Sequence, residues 1–424
     1  MTVNPTRPAS ADLTKRYLRV RRQSMHLCAP LQPEDYVVQP HEDVSPPKWH
    51  LGHTTWFFEN FILVPHAEEY QPFDLRLNWF FNSYYEGQGD RILRSKRGNM
   101  TRPALQTVLD YRRHTDAAMQ KLLDEYGDDL PAELRKLTEV GLQHEQQHQE
   151  LLVTDIKYIL GNNPYFPAYR ESNAGLPARK SARPLKFLEM PAGIYEIGYT
   201  GEDFCWDNEL SVHKVYLQPY QIADRLITNG EYLEFMEAGG YTNYEYWLSE
   251  GWEWCKLLEE KAPLYWYRKD GEWYQYTLQG LQKIDPALPV THVSYFEADA
   301  YAAWKEMRLP TEFEWEAACK KYQPEVPTNG NFSESGILHP TAAAEGDLQM
   351  LGQAWEWTGS AYLPYPNYPR FKGALGEYNG KFMVNQTVLR GGSCATPHSH
   401  LRLTYRNFFQ TDKRRQFTGI RLAK

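Results

Sequence analysis

The run GLQHEQQHQELLVTDIKYIL, residues 141–160, constrains this chain more than any other stretch. Leu134, Leu137, Val140, Leu151, Leu152, Ile156 and Ile159 surround it at helical intervals, with no proline among them. On a helix, residues four apart share a face, one turn above the other. His144 and His148 therefore point the same way, at the spacing that lets two imidazoles hold one metal ion. The plainer reading is a pair of surface histidines on a polar helix. A third candidate, His53, lies upstream in another helical stretch crowded with aromatic residues, and it tips the balance towards a metal site. The same five residues also match HExxH, the zinc-hydrolase motif in which Glu145 would be the general base.

A chain of 424 residues is expected to form two domains. A first helix is predicted over 11–28, with Asp12 as its N-cap. Ser45-Pro46-Pro47 reads as the start of a second, carrying His50 and His53, because serine caps and proline suits the first turn. Thr101-Arg102-Pro103 repeats that signal for a third, over 103–126, ending near Gly127. The fourth runs from 131 to Gly161, whose glycine reads as the C-cap. Four amphipathic helices make a bundle over 10–163, and bundle interiors are where facing helices build metal sites. Residues 164–186, rich in Pro, Arg and Ser, read as a linker. Beyond it, 187–424 shows short β-like runs, helices near 296–306 and 311–321, and a Trp- and Tyr-rich stretch with little periodicity. The fold class is thus an α domain followed by an α+β domain with much irregular backbone.

Composition narrows the function. Apolar residues at 42% and charged residues at 24% are the balance of a soluble globular protein. No apolar run reaches the roughly 18 residues of a membrane span, and the N-terminus lacks a signal-peptide core, so a cytoplasmic location is expected. The five cysteines have no framework spacing and read as reduced thiols. A net charge of −8 without a basic cluster argues against nucleic acid. Aromatic content, with 13 Trp and 30 Tyr, suits a pocket for a cationic or planar ligand.

Several motifs then carry a resemblance. PVTHVSYFEADAYAAW (289–304), RLPTEFEWEAA (308–318), WEWT (355–358), VLRGGSCAT (388–396) and LRLTYRNFF…GIRLA resemble the formylglycine-generating-enzyme (sulfatase-modifying-factor, C-type-lectin-like) fold. WHLGHTTWFFE, FNSYYEGQGDR, RGNMTRP and HEQQHQELL resemble the DinB-like four-helix bundle. The pairing resembles the ergothioneine-biosynthetic sulfoxide synthases (the EgtB family) over nearly the whole chain. That resemblance implies a non-haem Fe(II), O2-dependent enzyme. It would join the thiol of cysteine or γ-glutamylcysteine to C2 of the imidazole of hercynine (Nα-trimethylhistidine) and oxidise the sulfur to the sulfoxide.

The resemblance maps the metal ligands to His53, His144 and His148. Imidazole suits iron, and three protein ligands leave positions open. His50 competes with His53, but the family's frame selects His53; Glu59 or Asp155 could complete a two-histidine-one-carboxylate set, though nothing singles either out. Gln147 matches the residue that bonds the substrate imidazole, although a residue that merely steadies a ligand histidine would also look like this. Tyr378 matches a tyrosine on the hercynine ring, and Asn407 an asparagine near its amino-acid end. Phe408 would suit the trimethylammonium. Arg97 and Arg102 are candidates for the thiol substrate's carboxylate.

Two positions depart from the better-known branch. Leu375 stands where that branch has a catalytic tyrosine, and Asn407-Phe408-Phe409 replaces its Asn-Trp-Asp. The second departure leaves the thiol donor open between cysteine and γ-glutamylcysteine. For the first, Tyr84 or Tyr85 is expected to supply the proton from the bundle, since a phenol stays protonated at neutral pH. The rivals are a zinc hydrolase on HEQQH, a zinc-dependent thiol transferase, a non-catalytic binding protein and a selenium-donor variant of the same reaction. The hydrolase lacks a nearby third ligand, since the next histidine after His148 is His213.

Overall fold

The computed structural model describes residues 10–83, 92–171, 182–259, 261–369 and 379–424, the side chains of 10–12 excepted. The chain divides into two compact units, Met1–Ile159 and Leu160–Lys424.

In the first unit the long helices are Ser10–Cys28, Pro47–Phe58, Leu105–Tyr126 and Ala132–Gly161, the last ending just inside the second unit. Leu13, Tyr17 and Val20 of the first, Met119, Leu122 and Leu123 of the third, and Leu134 and Leu142 of the fourth fall on one face of each helix and meet in one core. Gly127 ends the third helix at φ 50°, a left-handed conformation that glycine adopts without strain.

The second helix departs from the expected amphipathic pattern, for every residue of Pro47–Phe58 is buried. A helix apolar or internally bonded on all sides belongs in a core, and its polar groups are satisfied there: Thr55 Oγ1 donates to Leu51 O at 2.7 Å, and Lys48 Nζ to Met100 O at 2.6 Å. It continues through a π-turn, Glu59–Leu63, just ahead of Pro65, where the missing N–H of proline disturbs the regular ladder.

Four expected helix signals read differently in three dimensions. Ser45 does not cap the second helix; Pro46 occupies the N-cap, and the Ser45 hydroxyl accepts from Arg97 at 2.9 Å. The third helix begins at Leu105 behind Ala104, not at the Thr101 signal. Asp12 lies inside the first helix, which starts at Ser10. Gly161 is the last residue of its helix rather than a left-handed cap. A side chain there would meet Tyr276 Cδ1 at 2.8 Å, so close approach explains this glycine.

The second unit mixes small sheets with irregular chain. A four-stranded sheet runs Asn407–Phe409, Thr387–Arg390, Trp355–Ala361, Thr418–Gly419; a three-stranded sheet joins Trp266–Lys269, Glu272–Thr277 and Gly280–Lys283. The helices Tyr295–Trp304 and Glu312–Tyr322 each start with a reciprocal capping box, Ser294 with Glu297 and Thr311 with Glu314. Fully buried charges sit in pairs. Arg421 grips Glu356 at 2.6 and 2.8 Å, Arg406 grips Glu312 at 2.8 and 3.0 Å, and Arg390 bonds Glu316.

Candidate metal centre

One helix supplies His53 and another supplies His144 and His148, and the three offer ligand atoms that all lie within 4.8 Å of one another. Among the described residues this is the one group of three or more His, Cys, Asp or Glu side chains so placed. The rings sit close: His53 to His144 4.9 Å, His53 to His148 4.8 Å, and His144 to His148 4.6 Å between centroids.

The protonation of His53 is set by its neighbour. Its Nδ1 lies 2.6 Å from the Phe81 carbonyl, which can only accept. The hydrogen therefore sits on Nδ1 and the lone pair on Nε2. That Nε2 is buried and has no hydrogen-bond partner among the described residues. A buried polar atom left so costs free energy, and a metal ligand is the chemistry that accounts for it. Burial, joined by the neighbouring histidine charge, holds His53 far below the ordinary imidazole range, and burial lowers His144 to about 3. Burial and the potential of His144 and His53 do the same for His148. All three rings are thus neutral donors at neutral pH, the form a metal requires. The residues fit a transition-metal ion held by imidazole.

The remaining candidates divide. Gln147 stands half-buried between the two helix ligands. His50 is outside the triad, with one ring nitrogen 2.9 Å from His148 Nδ1 and the other 2.9 Å from Asp155 Oδ2. Asp155 is therefore committed to His50. Glu59 is committed too, accepting from Tyr70 and Tyr111 hydroxyls at 2.6 Å each. Arg97 is buried, donates to Ser45 and Ser83 hydroxyls, and stacks 3.3 Å over Trp49, which also stacks on the His53 ring at 4.5 Å and meets the His50 and His148 rings at 5.7 and 5.9 Å. Arg102 is exposed and bonds the Thr101 carbonyl. In the second unit, Asn407 Oδ1 accepts the Phe408 N–H at 2.9 Å, and the Phe408 ring stacks on Tyr362 at 4.1 Å. Tyr84, Tyr85, Leu375 and Tyr378 lie outside the described residues.

Glu145 tells against a hydrolase. It lies in a buried charge cluster, accepting from Arg21 at 2.8 Å, Arg112 at 2.5 Å and Ser24 at 2.6 Å. Burial alone would raise its carboxyl, but the two arginines and Ser24 bring it down to about 2. A carboxylate so held is not a general base for water.

The comparisons with known proteins agree with this layout. The DinB superfamily model matches residues 16–152, and the sulfatase-modifying factor enzyme 1-like domain matches 174–342 and 329–424. The chain is 33% identical over 305 residues to the hercynine oxygenase of Mycobacterium tuberculosis, covering 66% of this chain and 70% of that one. It belongs to the hercynine oxygenase family. A second hercynine oxygenase, from Mycolicibacterium thermoresistibile, is 32% identical over 66% of this chain and 67% of its own length. Ergothioneine biosynthesis protein 1 of Schizosaccharomyces pombe is 32% identical over 52% of this chain and 28% of its own. Sequence reasoning weighed His50 and Asp155 only as alternative ligands and missed their contacts with each other and with His148, as well as the Phe81 carbonyl on His53. The seven-residue step from His148 to Asp155, about two helical turns, was the available signal.

Proposed function

We propose that this chain is a non-haem iron(II), O2-dependent sulfoxide synthase of ergothioneine biosynthesis. It joins the thiol of cysteine or γ-glutamylcysteine to C2 of the hercynine imidazole and oxidises the new thioether to the sulfoxide. The observation that carries the reading is the cluster of three neutral histidines within 4.8 Å, in a chain of this family. The overall reaction balances without a further reductant. The thiol and the ring C–H give up two hydrogens, one oxygen atom of O2 goes to sulfur, and the other leaves as water.

His53, His144 and His148 would hold the iron, which supplies a redox centre for O2 and a soft site for sulfur. The protein's own part is positioning and proton supply. The Phe81 carbonyl fixes the His53 ring. Gln147 is assigned to the hercynine imidazole, with Tyr378 and Asn407 as further hercynine contacts and Phe408 as the aromatic partner of the trimethylammonium. Arg97 and Arg102 are the candidates for the thiol's carboxylate; the burial of Arg97 favours it for a charge-assisted bond, and the exposure of Arg102 favours a looser contact. Tyr84 or Tyr85 is assigned as proton donor in place of a tyrosine at Leu375. A cytoplasmic setting fits reduced thiols, and among the described residues no helix is long and apolar enough to cross a membrane.

Oxygen uptake tests the proposal. An iron(II)-loaded chain should consume O2 rapidly only when hercynine and a thiol are both present. Equal uptake with either omitted would overturn it.

A further inference from the structure

His50 precedes His53 by three residues on the buried second helix, yet both of its ring nitrogens are engaged elsewhere. Nδ1 meets His148 Nδ1 at 2.9 Å, and Nε2 meets Asp155 Oδ2 at 2.9 Å. The same carboxylate oxygen accepts the Ser45 backbone N–H at 2.9 Å, which holds it in place. Asp155 follows His148 by about two turns on the fourth helix, so ligand and carboxylate share a face and His50 bridges them.

The hydrogens along this chain of contacts have one arrangement. An ionised carboxylate only accepts, so His50 Nε2 carries hydrogen. A neutral imidazole has a single N–H, so His50 Nδ1 holds a lone pair and accepts from His148 Nδ1–H. His148 is then left with its lone pair on Nε2. We infer that Asp155 and His50 form a positioning relay that sets the tautomer and ring orientation of His148, so that Nε2 is the atom offered to the metal. The relay is the counterpart of the Phe81 carbonyl at His53. A carbonyl can only accept and needs no help. An imidazole can accept or donate, and Asp155 fixes which. The inference rests on the three-histidine reading of the metal site.

The test uses the full chain, stripped of metal by chelation, with the histidine ring nitrogens read by 15N NMR and His148 assigned by comparison with His148→Ala. His148 should be in the Nδ1–H form. Finding it in the Nε2–H form would overturn the relay. His50→Leu should return His148 to the Nε2–H form and weaken iron(II) binding, measured by competition with a chelator, by roughly 10- to 100-fold. His50→Gln places an amide oxygen towards His148 and an amide N–H towards Asp155, and should restore affinity to within a few-fold of the parent. Equal losses in the Leu and Gln variants would show that ring volume, not the proton arrangement, matters, and would refute the relay. Should the Leu variant fail to fold, the parent tautomer and the Gln affinity decide the matter. A parent chain that binds no iron(II) removes the metal-site reading and the relay with it, whereas tight binding with the wrong tautomer removes the relay alone.

Discussion

In the first unit, WHLGH and HEQQH deliver three neutral imidazoles within ligand distance of one another. In the second, six charged residues of RLPTEFEWEAA, WEWT, VLRGG, TYRNFF and GIRLA meet as buried pairs: Glu316 with Arg390, Glu356 with Arg421, and Glu312 with Arg406. Both sets lie in the runs that carry the family resemblance and, the half-buried His148 apart, both are buried, but they differ in what is left uncommitted. Each paired charge has a partner of opposite sign and so holds irregular chain together, although Arg390 Nε itself makes no hydrogen bond among the described residues. His53 Nε2 has no such partner among the described residues. Glu145 shows that the distinction is one of environment and not of domain. It lies inside the HEQQH motif, yet its clamp between Arg21 and Arg112 makes it part of the scaffold. A charged residue in a motif is therefore weak evidence of chemistry, and a buried neutral donor without a partner is stronger evidence.

The largest effect that could break this contrast is on metal content. His53→Ala, His144→Ala and His148→Ala should each abolish bound iron and turnover, because a three-ligand site cannot spare one. Iron at the parent level in any of the three, by elemental analysis, removes that residue from the site. The paired charges should respond in the other way. Removing one partner of a buried pair costs about 3–5 kcal/mol by stranding the other, so Arg421→Met and Glu145→Gln should both lower the urea midpoint. The folded fraction should keep its iron, and in Glu145→Gln its turnover per bound iron should stay within a few-fold. Loss of turnover with metal intact would make Glu145 catalytic after all.

Much of the site was legible because its spacing is local. The i, i+4 histidines need only a helix, and the family motifs bring in His53. What escaped depended on contacts between residues distant in sequence. The roles of His50 and Asp155 need a hydrogen bond across 98 residues and another across 105. Ser45 looked like a cap, but its hydroxyl serves Arg97, 52 residues away. The second helix looked amphipathic because Lys48, His50, Thr54 and Thr55 are polar. Partners elsewhere in the bundle satisfy them, including Arg21 on Thr55 at 3.0 Å and Arg112 on Thr54 at 3.3 Å, and allow all-round burial. In the second unit the motifs were recognisable as a fold signature, while the pairing of their charges was not.

Two smaller effects sharpen the contrast. If the proton donor belongs to the bundle, replacing Tyr84 or Tyr85 by Phe should leave iron and substrate binding nearly intact. Product should shift from the sulfoxide adduct towards thiol oxygenated on sulfur alone. Should both single variants and the double variant form adduct at the parent rate, the donor lies elsewhere. The smallest effect is a pH dependence in the scaffold. Burial alone would raise Glu316, but Arg390, Lys320 and the Gly198 N–H hold its carboxyl below the usual range. The sign follows: a depressed carboxyl stabilises the fold above the unfolded value of about 4.3, and that stability is lost as pH falls through the lower folded value. The stability difference between the parent and Glu316→Gln, from urea unfolding, should be constant above about pH 5 and shrink below the unfolded value of about 4.3. A difference that grows on acidification would contradict the assignment.

The account's central claim, that three histidines of the bundle hold the iron at which thiol and hercynine are joined, is tested most directly by product mass. The full chain is loaded anaerobically with iron(II), given hercynine and either cysteine or γ-glutamylcysteine, and then exposed to O2. The account predicts an adduct whose mass equals hercynine plus thiol, less two hydrogens, plus one oxygen. It should form with iron(II), fail with zinc, and be absent from His148→Ala. Failure of the iron-loaded parent to form it with either thiol, or its formation at the parent rate by His148→Ala, would contradict the claim.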